Sequence, residues 1–595
     1  MLETLTSNSS RPEVIATRRE DGSILLDNAV ALPPVTGTIP SRLAHWALAT
    51  PSAPFLSDDT RMLTYADAEK RRRSLSTRLI GLPLRDNQPL LILGENGIEH
   101  ALVMLAAMAV GIPVAVISPA YVAVSAAPWG KLAKVLSQLK PTVILADQPE
   151  AAEAALAALE VEALVRPLRD LSWLLDRQPG TDEEILAAEA LVGPDSVAKL
   201  LFTSGSTGSP KAVMNTQCMM VSNMEALARV WPFLSERPPV LVDWLPWNHT
   251  FGGNCCFNLA LWFGGRLHID GGKPTPSLIG RTVAALRRIQ PTIYFNVPVG
   301  FELLLPHLEA DPAFARQFFG GLDFLLNGGA PISKAMRTRL EAVAATASDD
   351  ALNIVGGWGS TETAPFSTVL SFPTEHAANL GAPIPGTTIK MVPEGDRYEL
   401  RVKGPNVTPG YWGDAELTSA AFDEEGFYCI GDAGRFADPD DPAAGIVFDG
   451  RIAENFKLAS GTFVNVGALR LAVISAGEKL ISDAVIAGEG RNEIGLILFL
   501  SETPCREHVG VSDRESPDVS LSEHPAIIEH IVSRLAAYNL TASGSSTRVA
   551  RFIIAREPPS AAHDEITDKG YINQRKVLTR RTKLVEELFE TGFPL

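Results

Sequence analysis

The chain has 595 residues, 46% of them hydrophobic and 20% charged, with a formal net charge of −17. That length exceeds what one hydrophobic core supports, so at least two domains are expected. The acidic balance argues against a nucleic-acid partner, which relies on a basic surface. Five cysteines (Cys218, Cys255, Cys256, Cys429 and Cys505) include no C-x-x-C pair, so neither a disulfide framework nor a zinc site is expected, and a reducing cytoplasm fits best.

Residues 1–18 are polar and lack the apolar segment of a secretory leader. Residues 101–129 carry no charge and are numerous enough to span a bilayer. Gly111-Ile112-Pro113 divides that run, however, so its first half reads as a buried helix and 114–117 as a buried strand. No membrane span is expected. Short apolar strands are predicted at 90–93, 114–117, 142–146, 199–202, 241–245, 292–295 and 322–326, with helices at 97–110, 276–289 and 333–345 between them. That alternation predicts an α/β fold, a large multi-layer domain with substantial parallel sheet. The Ala- and Leu-rich segment 149–164 reads as a helix on its outside. After about Val392 the segments "YELRVKGPNVTPGYW" and "GFYCIGDAGRF" predict a small β-rich subdomain, and past Gly450 a separate, smaller α+β unit runs to the end. The boundary is placed near Arg451, giving domains 1–450 and 451–595.

The stretch "LLFTSGSTGSPKAVMNT", 200–216, carries the first functional signal. Gly- and Ser-rich composition alone suits a flexible linker. A strand ending in a Gly-rich turn, though, presents several backbone N–H groups at one point and lets an anion approach closely. Lys211 adds a mobile cation. The loop is not of the Walker A kind, because Pro210 precedes Lys211 and Ala212 stands where a magnesium-binding hydroxyl would be needed.

"TSGSTGSPK" resembles the signature loop of the adenylate-forming superfamily, which includes acyl-CoA synthetases, luciferases and peptide-synthetase adenylation domains. Further motifs follow in that family's order: "LPWNHTFGG" (245–253), "NGGAPI" (327–332), "GWGSTET" (357–363), "YCIGD" (428–432) and "GRIAENFK" (450–457). Six ordered motifs make the resemblance specific. It implies that a carboxylate is first joined to AMP with release of pyrophosphate, and that a thiol then displaces AMP. Pressing a carboxylate against a triphosphate brings two anions together, so N–H groups, a cation and a divalent metal must neutralise charge.

By this resemblance Thr203, Ser204, Gly205, Ser206, Thr207, Gly208 and Lys211 would grip the β- and γ-phosphates of ATP. Thr361 would contact the α-phosphate and Glu362 would bind Mg2+. Gly328, Gly329, Ala330 and Pro331 would lie against adenine, with Trp358 stacking on the purine. Asp432 would accept the ribose hydroxyls and Arg451 would reach the ribose. Ile430 stands where the family has Thr. His249 would sit beside the carboxylate, with Phe295, Val297, Pro298 and Gly357 as walls of an apolar slot. Lys457 and Gly461 would serve the CoA step.

Two departures stand out. Ala453 replaces the usual Asp or Lys at the hinge, and the closing motif T-x-x-G-K-x-x-R appears as "EITDKGYINQR" (565–575). Straight registration puts Tyr571 on the catalytic lysine position, with Lys569 two residues earlier. Either Lys569 acts through a shifted loop or adenylation runs with different help. "FDGRIAENFKLASGTFVNVGALR" and "EITDKGYINQRKVL" are similar to bacterial feruloyl-CoA synthetases, implying ferulate or a related hydroxycinnamate as substrate, with CoA as co-substrate. A ligase for another aryl or medium-chain acid, and a non-catalytic nucleotide-binding protein, are the alternatives.

Overall fold

A computed structural model describes residues 11–82, 84, 88–204, 210–329, 332, 334–348, 351–374, 376, 378–395, 397–511, 520–542, 544–560, 563, 565–566 and 572–595. The chain divides into two units, one of Met1–Val392, Leu400–Ile430 and Phe436–Val447, the other of Pro393–Glu399, Gly431–Arg435 and Phe448–Leu595.

The first unit is built on mostly parallel sheets. In one, the strand order is Pro210–Thr216, Val197–Ser204, Val114–Ile117, Leu90–Leu93, Val143–Ala146, Leu164–Pro167. Leu90–Leu93, Val114–Ile117 and Val143–Ala146 are buried at every residue. Burial on both faces explains why these runs are continuously apolar rather than alternating. The helix Ile98–Ala109 packs into the same core, and the uncharged run 101–129 resolves into that helix, the strand Val114–Ile117 and two short turns. Among the described residues no helix is long and apolar enough to cross a membrane.

A second sheet orders Val240–Asp243, Arg266–Ile269, Pro54–Ser57 and Met62–Thr64. A third orders Ile293–Asn296, Phe324–Asn327, Ile354–Gly359, Phe366–Leu370 and Ala382–Pro383. The motifs at 245–253 and 327–332 follow the carboxyl ends of Val240–Asp243 and Phe324–Asn327, and the motif at 357–363 starts within Ile354–Gly359. Carboxyl ends of such strands are where α/β sheets place ligands.

Two local expectations are corrected. The helix expected over 149–164 ends at Ala158. Glu160 turns the chain at φ 56°, and Leu164–Pro167 then adds a parallel edge strand beside Val143–Ala146. Beta-branched Val161 and Val165 favour extension there, and an edge tolerates Pro167. The β-rich region also begins at the other end of the chain, because the hairpin Val14–Arg18/Ile24–Asn28 pairs antiparallel with Thr388–Glu394.

In the second unit a sheet orders Ile481–Ala487, Ile494–Leu500, Val549–Ile554 and Phe593–Pro594. Helices Val466–Ala476 and Pro525–Thr541 belong to one core against it, while Val577 and Leu588, from helices Gln574–Arg580 and Thr582–Thr591, belong to another. Glu565 is fully buried near the end of the chain. It accepts hydrogen bonds from Arg580 Nη1 (2.9 Å), Arg581 Nε (2.8 Å) and Nη2 (2.7 Å), and Ser560 N (2.8 Å). Those donors, Arg581 foremost, hold its carboxyl down at about 2. A carboxyl lowered on folding stabilises above its unfolded pKa of about 4.3, and that contribution disappears as pH falls towards the folded value. Glu565→Gln is expected to destabilise this unit by about 2–3 kcal/mol at pH 7, through loss of charge-assisted bonds. Urea unfolding at pH 7, 5 and 3 checks this: the gap between variant and native chain should narrow with falling pH, and a constant gap would disprove it.

Candidate active site

The stretch 200–216 belongs to a pair of antiparallel strands. Val197–Ser204 and Pro210–Thr216 pair antiparallel, with Thr203 opposite Lys211 and Ser204 opposite Pro210. Gly205, Ser206, Thr207 and Gly208 lie outside the described residues. The second strand is clasped by a distant segment. Trp412 N donates to Ala212 C=O (2.8 Å), Met214 N to Gly410 C=O (3.1 Å), and Thr408 Oγ1 to Met214 C=O (2.6 Å). That clasp places the Tyr411 ring 5.3 Å from Lys211 Nζ.

Tyr411 also reaches Glu362. Its hydroxyl donates to Glu362 Oε1 at 3.1 Å, and Thr408 N donates to the Glu362 carbonyl at 2.8 Å. Glu362 lies in the turn Thr361–Thr363, capped by Ser360, whose Oγ accepts from Glu362 N at 3.2 Å. Thr361 and Glu362 are both buried, 4% and 6% exposed, although their turn is polar throughout. Burial raises the Tyr411 phenol above its ordinary range, and the Glu362 carboxylate raises it further. The same two causes, in the same order, raise Tyr428. Both phenols therefore stay protonated donors around a carboxylate at neutral pH.

On the other side, "LPWNHTFGG" leaves Val240–Asp243 and winds into a π-helical turn, Phe251–Cys256. Such turns cost regular helix geometry and recur at functional sites. His249 precedes it, its carbonyl accepting from Gly253 N at 2.8 Å. Phe251 meets Phe295 edge to face, centroids 5.7 Å apart, and a Cβ on Gly328 would lie 2.5 Å from the Phe251 ring. The missing side chain at Gly328 thus makes room for an aromatic residue of the protein. Phe295 itself is buried between Phe251 and Phe324, so Phe251 is the ring nearer the Gly328 loop. Val297 caps and Pro298 opens the helix Pro298–Ala310. A Cβ on Gly357 would fall 2.5 Å from the Phe366 ring, which fills the space over it. Gly329 has φ 85°, a backbone that only glycine adopts readily, while Ala330 and Pro331 lie outside the described residues. Trp358 is 6% exposed in the strand Ile354–Gly359, opposite Thr368.

Residues 43–412, well over half of the chain, match the family described as AMP-binding enzyme. The chain belongs to that family.

A probable non-canonical nonribosomal peptide synthetase, CymA, of Salinispora arenicola (strain CNS-205) is 27% identical over 542 residues, 89% of this AMP-binding enzyme. The chain spans only 6% of that relative's length. A feruloyl-CoA synthase of Amycolatopsis sp is 28% identical over 407 residues, 67% of this chain and 75% of the relative. Among solved structures, o-succinylbenzoate CoA synthetase from Bacillus subtilis in complex with its acyl-adenylate superposes with a TM-score of 0.70 at 17% identity. That match covers 90% of this chain and 98% of that one, and it shows a common fold.

In the second unit of this AMP-binding enzyme, Asp432 is 6% exposed on the strand Tyr428–Phe436, and Arg451 Nε lies 3.5 Å from its Oδ1. Ile430 lies two residues before it on the same strand. Ala453 falls in the short turn Ile452–Glu454. Lys457 lies in the strand Phe456–Lys457, paired with Phe463–Val464. Gly461, at φ 82° with open space where a Cβ would stand, forms the exposed tip between them. Lys569 and Tyr571 lie outside the described residues.

The chemistry of the donor set bears on magnesium. Among the described residues no group of three or more His, Cys, Asp or Glu is poised to hold a metal. Glu362 is instead a single buried carboxylate steadied by Tyr411. That fits Mg2+, which keeps several waters and binds through one or two carboxylates plus substrate phosphates. Sequence reading missed Tyr411, Tyr428 and Phe251. Each lies inside one of the motif segments above, but their importance depends on partners 49 to 77 residues away, which no local pattern reveals.

Proposed function

We propose that this AMP-binding enzyme is an ATP-dependent acid:CoA ligase that converts ferulate or a related hydroxycinnamate to its CoA thioester. The observation that carries the reading is the chain of contacts Lys211–Tyr411–Glu362, a cation and a buried carboxylate held on either side of one phenol beside the paired strands of the phosphate loop. In the first half-reaction an oxygen of the substrate carboxylate attacks the α-phosphorus, the bond to the bridging oxygen breaks, and pyrophosphate leaves. Lys211 and Thr203 would orient the outer phosphates, and Thr361 the α-phosphate. Mg2+ held at Glu362 would supply charge neutralisation between the two anions. No general base is needed at this step, because the acid is already ionised at neutral pH.

In the second half-reaction the CoA thiolate attacks the acyl carbonyl and AMP leaves with the bonding pair. We assign it to the other face of the small domain, 451–595, near Lys457 and Gly461, reached by rotation about a hinge at Ala453. Phe251 and Phe295, with Val297 and Pro298 beside them, would offer apolar walls to a planar aromatic acid. The feruloyl-CoA synthase relative supports that substrate. Incubation with ATP, Mg2+, CoA and ferulate should yield feruloyl-CoA by mass spectrometry, and absence of that thioester while an aliphatic acid is converted would reassign the substrate.

A second reading shares the first half-reaction and differs in the thiol. The match to a peptide synthetase over 89% of the chain supports transfer to the pantetheine arm of a carrier protein. Thioester formation on free CoA at a saturable concentration would decide against it.

Asp432 supplies a separate check on nucleotide binding. Its carboxylate would accept both ribose hydroxyls, two charge-assisted bonds worth about 1.5–3 kcal/mol each. Asp432→Ala is expected to weaken ATP binding measured by calorimetry by at least about tenfold. An unchanged affinity would leave Asp432 as a partner of Arg451 and no more.

A further inference from the structure

Lys199 is a fully buried lysine within the apolar strand Val197–Ser204, four residues before the phosphate loop begins. Among the described residues its ammonium meets no carboxylate within salt-bridge distance. Nζ donates to the Gly253 carbonyl (2.7 Å) and to Asn254 Oδ1 (3.3 Å), and it lies 5.8 Å from the Phe257 ring. Asn254 Nδ2 in turn donates to Asn215 Oδ1 (2.8 Å) and Thr250 Oγ1 (3.1 Å). Asn215 stands directly opposite Lys199 on the partner strand. Both paired strands therefore send a buried polar side chain to one residue of the π-helical turn. Gly253 relays the contact, because its N–H donates to the His249 carbonyl while its own carbonyl accepts from Lys199. The turn has little freedom elsewhere. A Cβ on Gly252 would lie 2.3 Å from the Leu245 carbonyl oxygen, and one on Gly253 2.4 Å from that of Trp247.

We propose that Lys199 is a positioning residue for the acid-binding turn: through Gly253 and Asn254 it locks the segment carrying His249 and Phe251 in register with the two strands that carry the phosphate loop. The substrate assignment of that segment rests on the ligase reading above. Locking the two sides matters because carboxylate and α-phosphorus must meet in line, and a misplacement of about 1 Å costs on the order of a hundredfold in rate.

Energetics distinguish this role from simple support of the fold. Burial pushes the Lys199 ammonium down to about 7, so the folded chain carries a lysine that it solvates poorly. An unbranched apolar side chain of similar length removes that penalty but takes the donor from the Gly253 carbonyl and Asn254 Oδ1, so the two effects oppose each other. Lys199→Met is therefore expected to leave the thermal midpoint near the native value while raising the KM for ferulate by on the order of tenfold or more, with the KM for ATP within about twofold of native. Hydrogen exchange gives a readout that needs no turnover. With ATP present, amides of 249–257 should exchange about tenfold faster in Lys199→Met than in the native chain, while Leu90–Leu93 and Val143–Ala146 stay unchanged. Asn215→Ser, which removes the Asn254 acceptor and leaves Lys199 in place, should shift both readouts in the same direction by less. A native chain that turns over no acid would sink the ligase reading, and the exchange arm would still decide the positioning role. Unchanged exchange over 249–257 in both variants, or a rise that spreads equally to Leu90–Leu93 and Val143–Ala146, would overturn the proposal, and Asn215→Ser decides it by the same exchange criterion if Lys199→Met does not fold.

Discussion

Glu362→Gln is expected to slow acyl-AMP formation by about 10²–10³-fold, the usual scale for removing one preorganised electrostatic contact in a site of this kind. The substitution should leave the fold intact. Gln retains an oxygen to accept from the Tyr411 hydroxyl, and the Ser360 and Thr408 contacts to Glu362 involve only its backbone. What disappears is the negative charge. Glu362 is the anionic ligand proposed for Mg2+, and no alternative cluster of acidic or His ligands stands among the described residues. Pyrophosphate–ATP exchange in the presence of the acid measures the step directly. Near-native exchange in Glu362→Gln would mean that the metal is held elsewhere.

The second large effect is expected at the end of the chain. Lys569→Ala should slow acyl-AMP formation by about a hundredfold or more, yet leave thioester formation from chemically supplied feruloyl-AMP nearly unchanged. The split follows from the proposed rotation of the small domain, which would bring the "EITDKGYINQR" segment to the acid and α-phosphate only during adenylation. Flanks of that segment are secured in the second unit: Glu565 is clamped by Arg580 and Arg581, Asn573 N donates to the Glu565 carbonyl, and Ile566 bridges Ile572. Single-turnover assays of each half-reaction separate the outcomes. Equal losses in both would exclude divided roles, and no loss in either would turn attention to Tyr571.

Much of the scaffold was legible locally. Continuous apolar runs such as Leu90–Leu93 become buried parallel strands because helices or other layers cover both faces, and that pattern needs no distant information. The pairing of Ile24–Asn28 with Thr388–Glu394 was not legible, since the two strands lie more than 350 residues apart in the chain and no turn links them. The end of the helix at Ala158 was missed because Ala, Leu and Glu continue past it, and the φ 56° turn at Glu160 decides against their helix propensity.

The site divides in the same way. Glu362 and Lys211 are visible as motif residues, whereas Tyr411, which connects them, gains its place from the clasp of 408–412 on Pro210–Thr216. Lys199 is hidden for another reason. A single lysine in an otherwise apolar strand reads as an exposed edge residue, and only the inward turn of Asn254 and Gly253 shows why it is buried.

The central claim is that this AMP-binding enzyme activates an aromatic acid with ATP. It is tested most directly by measuring pyrophosphate release from ATP and Mg2+ with a panel of acids: ferulate, 4-hydroxycinnamate, benzoate, octanoate and an amino acid. Release stimulated strongly by ferulate or 4-hydroxycinnamate and weakly by octanoate is the predicted result. Release with octanoate or the amino acid alone, or with none of the five, would contradict it.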